Sequence, residues 1–215
     1  MAEFRCRFRP SPLTTRKMPT NRLEAFSDGV LAIIITIMVL ELRAPHDASL
    51  NALRPLWPVF LSYVLSFVYV AIYWNNHHHM LHVTRRITGR VLWANMHLLF
   101  WLSLVPFVTA WMGENHFTSV PTAVYGLVLL MAAIAYWVLQ RSILRAQEKG
   151  SVLEQAVGRD FKGKISPFFY IAAILLAFVN PVISGVLYAA VALMWLIPDP
   201  RIERMVAEHA GEEQA

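Results

Sequence analysis

The sequence predicts an all-α membrane protein with six transmembrane helices, on the evidence of its composition, its long apolar runs and the placement of its basic residues. Apolar residues make up 57% of the 215-residue chain and charged residues only 15%. That little charge does not cover the surface of a soluble domain of this length. The basic residues lie between apolar runs rather than along one face, so the net charge of +5 indicates membrane topology and not nucleic-acid binding.

The apolar runs give the number of spans. A helix needs about 20 apolar residues to cross a bilayer, and the chain contains four such runs and a fifth that is too long for one helix. Asn180-Pro181 divides the fifth run, because proline cannot continue a helix and restricts the residue before it. The six predicted spans cover residues 22–42, 53–76, 91–112, 120–139, 167–179 and 181–197.

The basic residues give the orientation. Of the 19 Lys and Arg residues, 17 fall on one side of the predicted membrane, and only Arg43 and Arg54 fall on the other. This bias places both termini in the cytosol. The membrane domain is predicted at 21–198, between a disordered basic tail at 1–20, in which Met18 is an alternative start, and a polar tail at 199–215. No connection is long enough for a catalytic domain, so we expect no enzyme.

Asp28 lies about two turns inside the first predicted span. An ionised carboxylate at membrane depth is costly unless it is paired or hydrated, and it marks a functional site by default. The alternative is that Asp28 pairs with a neighbouring helix and only holds the bundle together. Its partners are expected at the cytosolic ends of the second and third spans, which carry Trp74, Asn75, His77, His78, Asn95 and His97.

The rest of the first span is apolar nearly all round. Ile33, Ile37 and Leu40 follow the spacing i, i+4, i+7 and therefore form one stripe. From the residues alone, such a stripe of branched side chains favours packed core over a pore lining. Thr36 is the single hydroxyl in the middle of the span, and it can bond back to its own helix.

A histidine cluster follows the second span. His78 and His82 have the i, i+4 spacing that can bind zinc on a helix, but the glutamate that usually accompanies such a pair is missing. We therefore expect no metal site. Histidines at a helix end more commonly form hydrogen bonds or face water, and they can confer sensitivity to pH.

The first span also carries a long motif. Arg-x-x-x-Phe-Ser-Asp-Gly-x-x-Ala-Ile-x-x-Thr-x-x-x-Leu-Glu, from Arg22 to Glu41, resembles the opening helix of the transmembrane protein 175 family, in particular its prokaryotic branch. Tyr73-Trp74-x-x-His77-His78 is similar to the second-helix signature of that family. Further similarity to its third helix lies in Asn95, Leu104, Pro106, Phe107 and Thr109.

The resemblance implies a channel of known architecture. Members of the prokaryotic branch have six helices per subunit, form homotetramers around a pore lined by the first helix, and lack the Thr-Val-Gly-Tyr-Gly filter. The family's pore constriction and selectivity positions fall on Ile33, Thr36, Ile37 and Leu40. Its interhelical polar network falls on Arg22, Ser27, Asp28, Trp74, His77 and Asn95. Because His78 and His79 follow His77 directly, the register of the network histidine stays open.

The function implied by the resemblance is a potassium channel, modestly selective over sodium, in the plasma membrane of a prokaryote. Its partners would be K⁺, the lipid bilayer and copies of itself, with no cofactor, metal or nucleic acid. A narrow ring of Ile33 side chains would act as gate and sieve, because an apolar constriction loses water. The alternative is a cation transporter or proton-linked carrier, against which the lack of an evident internal repeat argues.

Overall fold

The computed structural model describes residues 20–82, 84, 86–147 and 161–196. The predicted tail at 1–20, apart from Thr20, lies outside these residues, as do Met18 and the polar tail at 199–215. Within them the chain forms seven α-helices, one 3₁₀ helix and no strand, which confirms the all-α prediction.

The helices follow one another along the chain with short connections. Their bounds are Thr20–Leu40 (α1), a 3₁₀ helix at Leu50–Leu56, Trp57–His82 (α2), Gly89–Ser103 (α3), Val105–Glu114 (α4), Ser119–Ala146 (α5), Phe161–Leu176 (α6) and Pro181–Leu196 (α7). With α3 and α4 taken as one span, the described residues contain six helical spans, as predicted. α6 begins at Phe161, six residues before the predicted start at 167, and residue 197 at the predicted end of the last span lies outside the described residues. Four of these helical stretches are long and apolar enough to cross a membrane, and α7 is a shorter apolar helix.

Two helices are longer than their apolar runs. α2 continues to His82 and α5 to Ala146, past the predicted ends at residues 76 and 139. The added residues are largely polar, with four histidines in α2 and Arg141 and Arg145 in α5. An apolar run measures only the part of a helix inside the hydrocarbon, so it underestimates a helix that projects into water.

The third span is interrupted in its middle. α3 ends at Ser103 and α4 begins at Val105, with Leu104 between them. Pro106 has no backbone N–H and its ring crowds the preceding turn, which explains a break at this point. Leu104 keeps right-handed helical angles, and the Val108 N–H still donates to its carbonyl at 3.2 Å. The two helices therefore form one span with a local break at Leu104.

The last two helices form a hairpin around Asn180. α7 begins at Pro181, where the missing N–H costs no hydrogen bond. The Asn180 side-chain oxygen accepts from the Val182 N–H at 3.0 Å and so caps the helix. Across the hairpin the Ser184 hydroxyl donates to the Ala173 carbonyl at 2.7 Å.

α5 lies at the centre of the bundle and packs against α3, α4, α6 and α7. Small residues allow the close approach: at Gly126 a Cβ atom would collide with the Tyr188 hydroxyl. α1 lies at the periphery and touches α2, α3 and α4. Within the residues that the structure describes, only one side of α1 is therefore covered by its own chain.

Candidate functional site

The exposed side of α1 is a continuous apolar face. Ile33, Ile37 and Leu40 are 58%, 42% and 78% exposed, and Phe26 extends the same face toward the N-terminus at 53%. Gly29 lies between them, and a Cβ atom there would meet nothing within 4 Å. We call these five residues the bare face of α1. In water such a face would be unstable, so lipid, a pore or another protein chain has to cover it.

The packed side of α1 is a different stripe. Leu23, Ser27, Leu31, Ile34 and Met38 are all buried. At 100° per residue this stripe is centred about 120° around the helix from the bare face. The expectation that Ile33, Ile37 and Leu40 form packed core is therefore wrong for the single chain. Both stripes have helical spacing, so the periodicity of the sequence does not indicate which of them packs against the other helices.

Thr36 lies beside Ile33 and Ile37 on the exposed side of α1. Its hydroxyl donates to the Ile33 carbonyl at 2.8 Å, within the same helix. The proton of the hydroxyl is thus engaged, and the oxygen lone pairs point away from that bond and remain available as acceptors. This orientation suits an interaction with a cation.

A chain of buried hydrogen bonds joins α1, α2 and α3 behind the bare face. His77 Nε2 lies 2.7 Å from Asn95 Oδ1, and Asn95 Nδ2 donates to Ser27 Oγ at 3.0 Å. The Ser27 hydroxyl in turn donates to the Leu23 carbonyl at 2.9 Å. Because Asn95 Oδ1 can only accept, the His77 proton lies on Nε2. His77 Nδ1 is buried and has no hydrogen-bond partner among the described residues.

A second set of contacts links α1 to α2 nearer the surface. The Trp74 indole N–H donates to Asp28 Oδ1 at 3.0 Å, and His78 Nδ1 lies 2.8 Å from Glu24 Oε1. The two acids are four residues apart on α1, and their partners are four residues apart on α2. The helices run antiparallel, so the two pairs form successive rungs between them. The rings of Trp74 and His78 stack with centroids 5.8 Å apart.

The structure thus brings together five of the six network residues, in two groups. Ser27, His77 and Asn95 form the buried group, and Asp28 and Trp74 form one of the outer rungs. Arg22 is exposed and, within the part of the chain that the structure describes, makes no hydrogen bond or ion pair with either group. It lies eleven residues before Ile33, about 20° from it around the helix, and so shares the direction of the bare face.

The histidines after the second span have separate environments. His77 is buried in the hydrogen-bond chain and His78 faces Glu24, whereas His79 and His82 are exposed. Among the described residues no group of three or more His, Cys, Asp or Glu side chains is arranged to hold a metal.

Sequence reasoning missed Glu24 as a contact residue. Its signal was present in the spacing: Glu24 and Asp28 are i, i+4 on α1, and Trp74 and His78 are i, i+4 on α2. Residues at i and i+4 lie on the same face of a helix. A pair of acids on one helix and a pair of ring N–H donors on the other therefore match when the two helices run antiparallel and face each other. Phe26 was also missed, because its exposure depends on which stripe packs inward.

Comparison with known proteins identifies the family. A potassium channel from Chryseobacterium is 52% identical to this chain over 192 residues, which cover 89% of this chain and all of the relative. The chain belongs to the TMEM175 family. The sequence model of that family, described as the endosomal/lysosomal potassium channel TMEM175, matches residues 22–106. The family consists of ion channels and not of enzymes, and the chain is a membrane protein.

Two further comparisons extend over most of the chain. A potassium channel from Chamaesiphon minutus is 31% identical over 175 residues, which cover 75% of this chain and 85% of the relative. The crystal structure of a lysosomal potassium-selective channel TMEM175 homologue from the same organism superposes with a TM-score of 0.72 and 29% identity. That match covers 83% of this chain and 96% of the other. The similarity is therefore not confined to the motif-bearing first half.

Proposed function

We propose that this chain forms a potassium channel, as a homotetramer in the plasma membrane of a prokaryote, with the bare face of α1 lining the pore. Ile33 is the constriction, Thr36 supplies a hydroxyl layer beside it, and Ile37 and Leu40 continue the apolar lining. Three relatives named as potassium channels and the TMEM175 family match support the permeant ion. The channel is modestly selective for potassium over sodium.

The observation that carries the proposal is the division of α1 into a packed stripe and a bare face. Ile33, Ile37 and Leu40, at the motif's pore positions, are exposed on the bare face, while the stripe about 120° away packs against the rest of the subunit. A lipid-facing helix would also have an apolar outer side. Lipid tails, however, would make no specific contact with the hydroxyl of Thr36 or with the exposed backbone at Gly29.

A single chain cannot enclose a pore with one helix. Several copies have to place their α1 helices around a common axis, and closed cyclic symmetry is the usual solution for identical subunits. The buried hydrogen bonds of Ser27, His77 and Asn95 and the outer rungs then serve to hold each α1 against its own α2 and α3. They fix the cytosolic half of the pore-lining helix relative to its subunit.

The proposed selectivity follows from hydration. A ring of Ile33 side chains offers a cation no ligand in place of its water, so ions that release water more easily pass more easily. Potassium is larger than sodium and holds its water less tightly, which gives a modest preference. Thr36 oxygens near the ring compensate part of the lost hydration, since their lone pairs are available.

Single-channel recording of Ile33→Asn tests the proposal. The amide widens and wets the constriction, so we expect a conductance raised several-fold and a potassium-to-sodium preference close to unity. The matched control is Val39→Asn. Val39 is also exposed on α1, but it lies about 120° around the helix from Ile33 and one residue before the helix end. Its conductance should equal that of the wild type.

Flux measurements separate a channel from a carrier. Liposomes that contain the wild-type protein should lose a potassium gradient rapidly and without a coupled ion. A slow flux that requires a proton or sodium gradient would instead favour the cation transporter or proton-linked carrier. Equal currents from wild type and Ile33→Asn would show that the constriction lies elsewhere.

A further inference from the structure

Two exposed polar side chains lie inside predicted spans, where lipid tails offer them no hydrogen bond. His97 lies on α3, six residues or about 9 Å inside the predicted span 91–112, and Asn75 lies on α2 inside the predicted span 53–76. Both side chains are exposed in the single chain. Polar side chains within a span almost always face other protein or water rather than hydrocarbon. The surroundings of these two residues are therefore incomplete in one subunit.

His97 has a hydrogen-bond donor to spare. The Trp101 indole N–H donates to His97 Nε2 at 3.0 Å. Since an indole can only donate, Nε2 is the acceptor, and the proton of the neutral imidazole is on Nδ1. His97 Nδ1–H has no partner among the described residues, and neither has the side-chain amide of Asn75. An amide oxygen can accept from an imidazole N–H, as Asn95 does from His77 in the buried hydrogen-bond chain.

Asn75 and His97 lie at the same level in the membrane. His77 on α2 and Asn95 on α3 meet at 2.7 Å, and the two helices run antiparallel. Asn75 comes two residues before His77, which displaces it by about 3 Å toward the outer side, and His97 is displaced equally because it comes two residues after its neighbour on the opposite helix. Two residues also turn a helix by about 200°. Both side chains therefore point away from the contact between α2 and α3, in opposite directions.

α2 and α3 lie on opposite sides of α1. Measured around α1 from Ile33, Asp28 lies about 140° in one sense and Ser27 about 120° in the other. Asp28 contacts α2 through Trp74, and Ser27 contacts α3 through Asn95. When the bare face of α1 is turned toward a common axis, the outer surface of α2 thus faces one neighbouring copy and the outer surface of α3 faces the other.

We propose that neighbouring subunits meet through these two surfaces, with Asn75 Oδ1 of one copy accepting a hydrogen bond from His97 Nδ1–H of the next. Rotation about an axis normal to the membrane keeps every residue at its level, so the two groups face each other in a closed ring. Exposed apolar side chains, Val64 on α2 and Phe100 on α3, extend the contact. The inference rests on the proposed assembly of several copies around a pore, and it adds which surfaces join them.

Cysteine cross-linking tests which surfaces meet. In a Cys6→Ser background, which removes the single native cysteine, the double variant Asn75→Cys, His97→Cys is treated with a short bifunctional thiosulfonate in an uncharged detergent. We expect covalent products up to the complete ring on a denaturing gel. Each single variant should stay monomeric, because a head-to-tail contact does not bring two copies of the same position together.

The matched control keeps Asn75→Cys and moves the second cysteine to α6 with Ile171→Cys. Ile171 is also exposed and lies inside a predicted span, but α6 packs chiefly against α5 and α7. This pair should give no more product than the single variants. Equal products from the control would mean random collision and would overturn the proposal, as would dimers from His97→Cys alone.

Dissociation on dilution, followed by native mass spectrometry, gives a second readout that needs no cysteine. Asn75→Leu and His97→Phe each remove one side of the hydrogen bond. We expect each to raise the protein concentration at half dissociation about threefold, as for an average hydrogen bond between membrane helices. The double variant should add nothing further, since both changes remove the same bond. Trp101→Phe removes the bond within α3 and keeps His97 Nδ1, so it should dissociate like the wild type.

The same spectra distinguish this inference from the proposed channel. Wild-type protein that is only monomeric would contradict the proposed assembly itself. A wild-type oligomer without cross-linking between Asn75→Cys and His97→Cys, and with additive effects in the double variant, would overturn the pairing alone and leave the proposed channel standing. A bond of this size changes the free energy of unfolding little, so the association of subunits is the sensitive measurement.

Discussion

α1 and α5 are two apolar helices of nearly equal mean hydropathy, and the fold uses them in opposite ways. In the most apolar 18 residues of each helix, 50% are buried in α5 and only 28% in α1. α5 meets other helices of its own chain on most of its circumference, with Leu129, Ala132 and Leu139 completely buried. α1 meets them on one stripe and leaves Ile33 and Leu40 bare.

The difference is between a helix whose apolar surface is largely buried within its own subunit and one whose apolar surface is not. Side chains of α5 serve the stability of the single chain, and their substitution should change the free energy of unfolding. The bare face of α1 contributes little to that stability, which leaves its residues free for the permeation and the contacts with other copies that we propose. Predictions that compare the two helices, and the contacts that hold α1, test this distinction.

The largest effect is expected for the pair Leu139→Ala and Ile33→Ala, which remove similar amounts of side chain from α5 and α1. Leu139→Ala leaves a cavity in a packed site and should lower the free energy of unfolding by about 2 to 5 kcal/mol. Ile33→Ala should change it by less than about 0.5 kcal/mol. Unfolding of detergent-solubilised protein with increasing SDS measures both. Equal losses would mean that Ile33 is covered within the subunit.

An intermediate effect is expected for Asn95→Ala, which removes the centre of the buried hydrogen bonds between α1, α2 and α3. Ser27 and His77 both lose a partner while they stay buried, so the free energy of unfolding should fall by about 1 to 3 kcal/mol. His97→Ala on the same helix is the control, since His97 is exposed and, among the described residues, forms a hydrogen bond only with Trp101 within α3. A loss as small as that of the control would show that apolar packing alone holds α1.

The smallest effect is expected for Trp74→Phe, which removes one hydrogen bond to Asp28 and keeps an aromatic ring against His78. Hydrogen bonds between membrane helices contribute about 0.6 kcal/mol on average, and the site is partly exposed. The same SDS titration measures it. The control is Trp93→Phe, at a strongly exposed residue of α3. If both variants lose the same free energy of unfolding, the hydrogen bond between Trp74 and Asp28 adds no stability.

The fold could be predicted to the level of its spans. Apolar length gives the spans, because each run has to match the thickness of the hydrocarbon, and Asn180-Pro181 gives the hairpin, because proline begins α7 and asparagine caps it. The ends of α2 and α5 could not be found this way, since helix continues in the polar residues beyond the bilayer. In the sequence, Pro106 is the only sign of the break at Leu104.

The candidate site could be predicted only in part. The motif from Arg22 to Glu41 supplied the residues, and the position of Asp28 inside a span indicated a partner on a neighbouring helix. The partner itself, the indole of Trp74, depends on the register between two antiparallel helices. The choice between His77 and His78 depends on it too, and the structure gives them different roles: one lies buried against Asn95, the other faces Glu24.

The sequence by itself determined the number of spans and their order and predicts the cytosolic side, because these depend on the transfer of residues between water and lipid. That transfer is a property of composition along the chain and needs no knowledge of neighbours. Only the tertiary structure decided which stripe of α1 is buried and which is bare. Two helical stripes with the same spacing and nearly the same composition differ only in what packs against them, and that is fixed by the positions of α2, α3 and α4.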